Sequence, residues 1–335
     1  MTLPSTLDTA VTTVSPALRA AVDKYLCPEI AAVARYHHGW TDASGRPAEA
    51  RGGKLLRPAL ALLSAQAAGA TAADGVAAGV AIEFVHNFSL LHDDIMDGDR
   101  TRRGRATAWT LFGVPQAILA GDALLTAATT VLLDSRAAGA APAAKSLMAA
   151  TQRMISGQAS DVRFERRGDV TLPECVRMAR NKTGALLACA CSLGASLVGA
   201  PADLVQRLND FGEHIGLAFQ LIDDLLGIWG DPARTGKQAG ADLRARKNSL
   251  PVVAALTAPG SAELRSLYLR PDPLTEGEVH HVAGLVERLG GRDWAQDEAA
   301  RQIAAAEKNL GAAAIPDDVR DELRELAGFV TGRRF

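Results

Sequence analysis

The sequence predicts an all-α protein, and three observations carry that expectation. Alanine is abundant in the 335-residue chain while aromatic residues make up only 4%, a mix that favours helices over sheets. Apolar residues recur at helical spacing through most of the length, and no segment alternates apolar and polar residues long enough to argue for a strand. Helices are expected over residues 15–38, 55–68 (after the pair Gly52–Gly53), 72–96, 115–134, 143–166, 172–199, 202–228, 250–258, 275–289 and 294–309. Two more should flank the turn at Pro316 and end near Val330. The polar stretch 98–104 ends the third of these helices. Two starts are signalled: Pro173 follows Thr171, and Thr275 stands three residues before Glu278, the capping-box spacing. Linkers are short and none is low in complexity, so a single helical domain over residues 1–335 is expected.

Composition narrows the class further. Hydrophobic residues make up 48% and charged residues 22%, the profile of a soluble globular chain. A formal net charge of −2 gives no argument for a nucleic-acid partner. A polyanionic ligand would need a local cluster of Lys, Arg or metal. The four cysteines, Cys27, Cys175, Cys189 and Cys191, form no Cys-x-x-Cys pair and read as buried thiols in a reducing compartment, hence a cytoplasmic protein. The first residues show no basic region followed by an apolar stretch, so no signal peptide is expected. The uncharged run 183–200 approaches membrane-spanning length, but it holds several Gly and Ser. A buried central helix is expected there, with no membrane span.

The chemistry-bearing residues gather in a few places. Leu90-Leu-His-Asp-Asp-Ile-Met-Asp97 is echoed by Gln220-Leu-Ile-Asp-Asp-Leu-Leu-Gly227, each an acidic pair at the end of an apolar helix. Asp93 and Asp97 are one turn apart, with Asp94 beside them. Carboxylates so close repel one another at a helix end already unfavourable for negative charge, so something positive must compensate. Hard oxygen ligands suit Mg²⁺, which binds a few carboxylates together with waters and phosphate oxygens. The next loop supplies Arg100, Arg102, Arg103 and Arg105, and carboxylates alternating with guanidiniums read as a metal–phosphate site. In Arg51-Gly-Gly-Lys-Leu-Leu-Arg-Pro58 the glycines free the backbone. Lys54 and Arg57 are then expected three apart on one face of a starting helix, suited to a diphosphate. Lys182-Thr183, Lys237 and Lys247 are weaker signals, since a single lysine is more often solvated surface.

With these residues assembled, the chain resembles the trans-isoprenyl diphosphate synthases, or polyprenyl synthetases, over nearly its whole length. Gly52 to Pro58 is similar to the family's Gly-Gly-Lys-x-x-Arg-Pro, and Asp93 to Asp97 to its first Asp-Asp-x-x-Asp, with Arg102-Arg103-Gly104 behind it. Glu83 and His86, Gly121-Asp122, Lys182-Thr183, Phe219-Gln220-x-x-Asp223-Asp224, Gly230-Asp231-Pro232, Gly236-Lys237 and Asp242-Leu243 before Lys247 follow in family order. The resemblance implies an isoprenoid synthase helical bundle around a deep apolar cavity, in a homodimer. It implies about three Mg²⁺ ions with diphosphate bound, held by Asp93, Asp97 and Asp223, with Asp94 and Asp224 nearby. Arg102, Lys182, Thr183, Gln220, Lys237 and Lys247 would serve the allylic diphosphate. Gly53, Lys54, Arg57, His86 and Arg103 would hold isopentenyl diphosphate.

The implied reaction is head-to-tail condensation. The allylic C–O bond ionises, the double bond of isopentenyl diphosphate attacks the cation, and a proton leaves to the departing diphosphate. His86 is then expected to donate a hydrogen bond to diphosphate, and His92 to be structural. Family experience places chain length on Ser89 and Phe88, with Val85 close by. An ideal helix puts Ser89 about 40° from Asp93 and Phe88 about 140° away. One aromatic at the farther position and a small residue at the nearer one resemble a geranylgeranyl (C20) enzyme. A farnesyl or longer-chain synthase, a class I terpene cyclase and a non-catalytic regulatory subunit are the alternatives. The second acidic motif departs from the family in ending on Gly227 instead of Asp. Restoring Asp there is expected to tighten Mg²⁺ binding and leave the product unchanged.

Overall fold

The computed structural model describes residues 4–48, 53–232 and 238–332. Its described residues are helical apart from turns, connecting segments, the isolated bridge between Thr41 and Pro47, and a two-residue hairpin, Thr101–Arg102 with Arg105–Ala106. The chain divides into two compact units, one from residues 1–151, 189–209 and 313–326, the other from 152–188, 210–312 and 327–335.

In the first unit, α1 (Ser5–Tyr25), α3 (Leu56–Ala67), α4 (Val76–Met96) and α6 (Val114–Asp134) pack together, with α2 (Pro28–His37) and the short α5 (Ala108–Phe112) against α6. α4 is the axis of this unit: Ala78, Val80, Ile82, Phe84, Val85 and Leu91 are all buried along it. Backbones approach closely at Gly194, whose N–H donates to Ser64 Oγ at 2.9 Å on α3. A Cβ there would lie 2.0 Å from the Ala61 carbonyl oxygen. The expected helix over 15–38 is in fact two, α1 and α2. Pro28 is the reason: it opens α2, and the residue before a proline is kept out of helical backbone. α6 has 21 residues and is apolar enough to cross a membrane by length and composition, with 44% of its apolar window buried. In the run 183–200, α9 (Ala185–Leu197) is buried along its whole length, the buried helix expected there.

Two apolar clusters form the core of the second unit. One joins Phe164, Leu217, Leu221, Leu225, Leu250 and Val253, the other Ile228, Leu243, Val252, Leu264, Val282 and Val286. They tie together α8 (Leu172–Ala179), the later part of α10 (Ala202–Trp229), α11 (Ala241–Arg244), α12 (Leu250–Leu256), α13 (Ala262–Tyr268), α14 (Glu276–Arg288) and α15 (Gly291–Gly311). The capping boxes at Thr171/Glu174 and Thr275/Glu278 are both present. Two expectations need correction. The helix over 172–199 is interrupted by a π-helical turn, Arg180–Gly184. Only one helix, α16 (Asp317–Thr331), adjoins Pro316, because the residues before the proline are excluded from helix and α15 has already ended at Gly311.

Candidate active site

In the first unit, α4 carries its acidic residues to a Schellman stop. Gly98 takes φ +68°, its N–H donates to Ile95 O at 3.3 Å, and Asp99 N–H donates to Asp94 O at 2.9 Å. Asp93 is half-buried and Asp97 exposed, while Asp94 turns inward at 1% exposure. Arg102 donates to Asp94 Oδ1 through Nε at 2.7 Å and through its terminal nitrogen at 2.6 Å. Asp94 Oδ2 is buried with no hydrogen-bond partner. Burial pushes the Asp94 carboxyl above the usual range, with Arg102 pulling the other way. The hairpin aims Arg102: Arg103 and Gly104 at its turn take φ 52° and 75°, the pair of positive φ values that a two-residue I′ turn requires.

A cation pocket stands beside this acidic end. The Arg103 guanidinium fills the space over Gly53, where a Cβ would come within 3.1 Å of it. A terminal nitrogen of Arg57 lies 3.4 Å from His86 Nε2, and Arg57 Nε is buried without a partner. Beneath them Glu83 is buried, held by Asn87 at 3.0 Å, and its charge acts on both Arg57 and Arg103. Burial, then neighbouring charges, push His86 and His37 well below the usual histidine range, so both are neutral at pH 7. His86 therefore offers an N–H or a lone pair rather than a charge. His37, Asp94, Arg102 and Arg103 line a cavity of about 270 Å³.

Several expectations change here. Lys54 and Arg57 do not share a helix face: Leu55 takes φ 49° and α3 begins at Leu56, so Lys54 precedes the helix and is exposed. Arg105 donates to the carbonyls of Tyr36 and Thr41, at 3.1 and 2.8 Å, and Arg100 lies over the Trp109 ring. Arg102 is the arginine that reaches the aspartates' helix. His92 Nε2 contacts Ile118 O at 3.1 Å and lies 3.8 Å from Asp122 Oδ1, and the ring occupies the space a Cβ on Gly121 would need. Phe88 and Val85 are buried, Phe88 edge-on to the His92 ring at 4.9 Å. Ser89 is half-buried and donates to His86 O at 2.8 Å.

The second unit holds the other group of residues. Asp223 is exposed on α10 and Asp224 is buried. A hydrogen-bond chain runs from Thr183 Oγ1 to Gln220 Oε1 at 2.6 Å and from Gln220 Nε2 to Asp224 Oδ1 at 2.7 Å. Leu250 N–H closes it on Asp224 Oδ2 at 2.8 Å. Burial pushes the Asp224 carboxyl up to about 7, against those donors, with Asp242 and Asp223 adding to the rise. The π turn presents Lys182, which is ion-paired with Asp161. Gly157 makes room for that turn, since a Cβ would lie 2.2 Å from the Lys182 nitrogen. Lys247 lies 3.6 Å from Asp242. Gly52, Gly236 and Lys237 lie outside the described residues.

A Cβ on Gly227 would lie 1.9 Å from Asp242 Oδ2, so an Asp there requires the Asp242 side chain to shift. Asp161, His37 and the part played by Asp242 were missed from sequence. Asp242 was visible only as family order, and Asp161 sits inside α7 (Ala140–Phe164) with no local signal. Among the described residues no three His, Cys, Asp or Glu side chains form a ready cage for a metal. The donors present fit Mg²⁺ in another way. They are carboxylate oxygens, of Asp93 and Asp97 at the end of α4 and of Asp223 on α10, and Mg²⁺ takes only one or two such ligands beside water and substrate oxygens.

Comparison with known proteins decides the family. Residues 40–286 match the polyprenyl synthetase family. The chain belongs to that family. The polyprenyl synthetase is 44% identical over 326 residues to a (2E,6E)-farnesyl diphosphate synthase of Mycobacterium tuberculosis, covering 96% of this chain and 90% of the relative. It is 43% identical over 308 residues to a geranylgeranyl diphosphate synthase of the same organism, covering 91% and 86%. A crystal structure of polyprenyl synthetase from Streptomyces coelicolor A3(2) superposes with a TM-score of 0.93 at 50% identity, covering 97% of this chain and 98% of that one. The fold is the all-α bundle of isoprenoid synthases, and the chain is a trans-prenyl-transferring enzyme. The farnesyl and geranylgeranyl relatives stand too close together to select the C20 product.

Proposed function

We propose that this polyprenyl synthetase, acting as one domain, condenses isopentenyl diphosphate with an allylic diphosphate in a Mg²⁺-dependent reaction. One observation carries the reading: a buried carboxylate, Asp94, is bound to Arg102, and these two line a cavity with Arg103, whose charge acts on the paired Arg57 and neutral His86. Asp93 and Asp97, and separately Asp223, are assigned as Mg²⁺ ligands. Bound metal would supply charge stabilisation for the departing diphosphate. Arg57, Arg103, Lys54 and His86 hold isopentenyl diphosphate, with Gly53 leaving room for Arg103. Arg102, Lys182, Thr183, Gln220, Lys237 and Lys247 serve the allylic diphosphate. A cyclase that takes no isopentenyl diphosphate would have no use for the Arg57–Arg103–Glu83 arrangement.

Farnesyl diphosphate is the product we put first, supported by the longer and slightly closer match to the farnesyl synthase. Ser89 favours a second reading, the C20 product, because it is small and one turn before Asp93, while Phe88 is engaged with His92. Chain-length analysis after incubation with isopentenyl diphosphate and C5, C10 or C15 allylic diphosphates tests both. Accumulation of C15 with an inert C15 starter supports the first; conversion of C15 to C20 supports the second. The proposed assembly is a homodimer, supported by the exposed apolar side chains of Leu111, Val114, Ile118 and Leu119 on α5 and α6. Free thiols at all four cysteines support a reducing, cytoplasmic location.

A further inference from the structure

The side chain of Lys247 is 62% exposed, yet the backbone that carries it is tied down atom by atom. Lys247 N–H donates to Asp242 O at 3.0 Å, and Tyr268 Oη donates to Lys247 O at 2.9 Å. The next residue is held as firmly: Asn248 Nδ2 donates to Phe164 O at 2.8 Å, and Cys175 Sγ to Asn248 O at 3.1 Å. Just before Lys247, Arg246 takes φ 50°, a left-handed backbone that a side chain rarely adopts. Its guanidinium donates to Leu267 O at 3.3 Å and to the carbonyls of Tyr268 and Asp272. Leu267 and Tyr268 end α13, where carbonyls have no partner within the helix, and an arginine suits that end. The two residues therefore close a clamp. Arg246 grips the backbone of Tyr268, and the side chain of Tyr268 grips the backbone of Lys247. Tyr268 is buried, and burial pushes its hydroxyl above the usual tyrosine range, so it stays a donor.

We infer that Tyr268 and Arg246 are positioning residues for Lys247, fixing the backbone from which its ammonium reaches the allylic diphosphate. A long flexible side chain loses less freedom on binding when its origin is already set. The inference rests on the reading of Lys247 as an allylic diphosphate contact. It gives the clamp a role at one substrate, where a brace that only stabilised the fold would favour neither.

The test titrates geranyl diphosphate and isopentenyl diphosphate separately by calorimetry, with Mg²⁺ present. Wild type is compared with Tyr268→Phe, Arg246→Gly, Lys247→Ala and the double variant Tyr268→Phe/Lys247→Ala, with melting temperatures for all. Phe deletes one hydroxyl, and Gly keeps the left-handed backbone while removing the guanidinium. Tyr268→Phe and Arg246→Gly should each bind geranyl diphosphate about 3–10-fold more weakly, the scale of one hydrogen bond. Isopentenyl diphosphate should bind as to wild type. In the Lys247→Ala background, Tyr268→Phe should add no further loss, because both changes remove the same contact. Tyr268→Phe decides alone if Arg246→Gly does not fold. A lower melting temperature with unchanged geranyl diphosphate binding, equal weakening of both substrates, or a full additional loss in the double variant each overturns the proposal. Lys247→Ala binding geranyl diphosphate as wild type does would instead remove the reading of Lys247, and the proposal with it.

Discussion

Arg102 donates twice to one oxygen of Asp94 and leaves the other oxygen buried without a partner. The pair joins the end of α4 to the hairpin after it, so it fixes where both the aspartates and Arg103 stand. Removing one partner of a buried ion pair costs about 3–5 kcal/mol. Arg102 is 30% exposed, so water screens part of that loss and about 1–2 kcal/mol is expected for Arg102→Ala. Urea unfolding of Arg102→Ala and Arg102→Lys measures it, with the lysine variant in between. An alanine variant as stable as wild type would mean the pair is not what anchors the hairpin.

Arg57 and Lys54 separate the two substrates. Arg57→Ala removes a charge-assisted contact at a site backed by buried Glu83. Isopentenyl diphosphate should bind about 10–100-fold more weakly, with the allylic diphosphate little changed. Lys54 is exposed and off the helix, so Lys54→Ala should cost less, about 10-fold or below. His86 is neutral, so binding should not weaken through a His86 titration as pH rises past about 6.5. Calorimetry with each substrate decides it; equal weakening of both would reverse the assignment.

Gly157 governs the π turn. Gly157→Ala drives a methyl to within 2.2 Å of the Lys182 backbone nitrogen, and Lys182 must move. Overpacking of this kind costs about 1–3 kcal/mol. Gly328→Ala is the control: nothing lies within 4 Å of its Cβ, and a helical Gly-to-Ala change gains up to about 1 kcal/mol. Denaturation midpoints should fall for the first and hold or rise for the second. If Gly157→Ala is as stable as Gly328→Ala, the turn is not held by that approach.

The sequence was most legible where local chemistry decides the structure. The helix start after Thr171, the capping box at Thr275 and the helix ending at Met96 depend on neighbours along the chain, and they stand where the local signals put them. The break before Pro28 is also local, yet apolar periodicity continued across it and hid the proline's effect. Lys54 was misplaced because nothing in Lys54-Leu55 signals a left-handed Leu55. The Asp94–Arg102 pair was half legible: the residue types were clear, but the choice of Arg102 over Arg100 and Arg105 depends on the turn at Arg103-Gly104. The Asp161–Lys182 pair and the Gly227–Asp242 approach depend on how elements distant in sequence pack. No periodicity carries such information; it arises only when the chain folds.

The central claim is Mg²⁺-dependent prenyl transfer to isopentenyl diphosphate. Its most direct test traces radiolabelled isopentenyl diphosphate into longer prenyl diphosphates with geranyl diphosphate as co-substrate. Reactions run with Mg²⁺, with a chelator, and with Mg²⁺ restored, for wild type and a folded Asp93→Ala variant. Label should enter C15 or longer products with Mg²⁺, vanish with the chelator and return on restoration. Asp93→Ala should lose about a hundredfold or more in kcat, since its charge serves the transition state. Undiminished transfer in the chelator, or consumption of geranyl diphosphate with no label incorporated, would contradict the account.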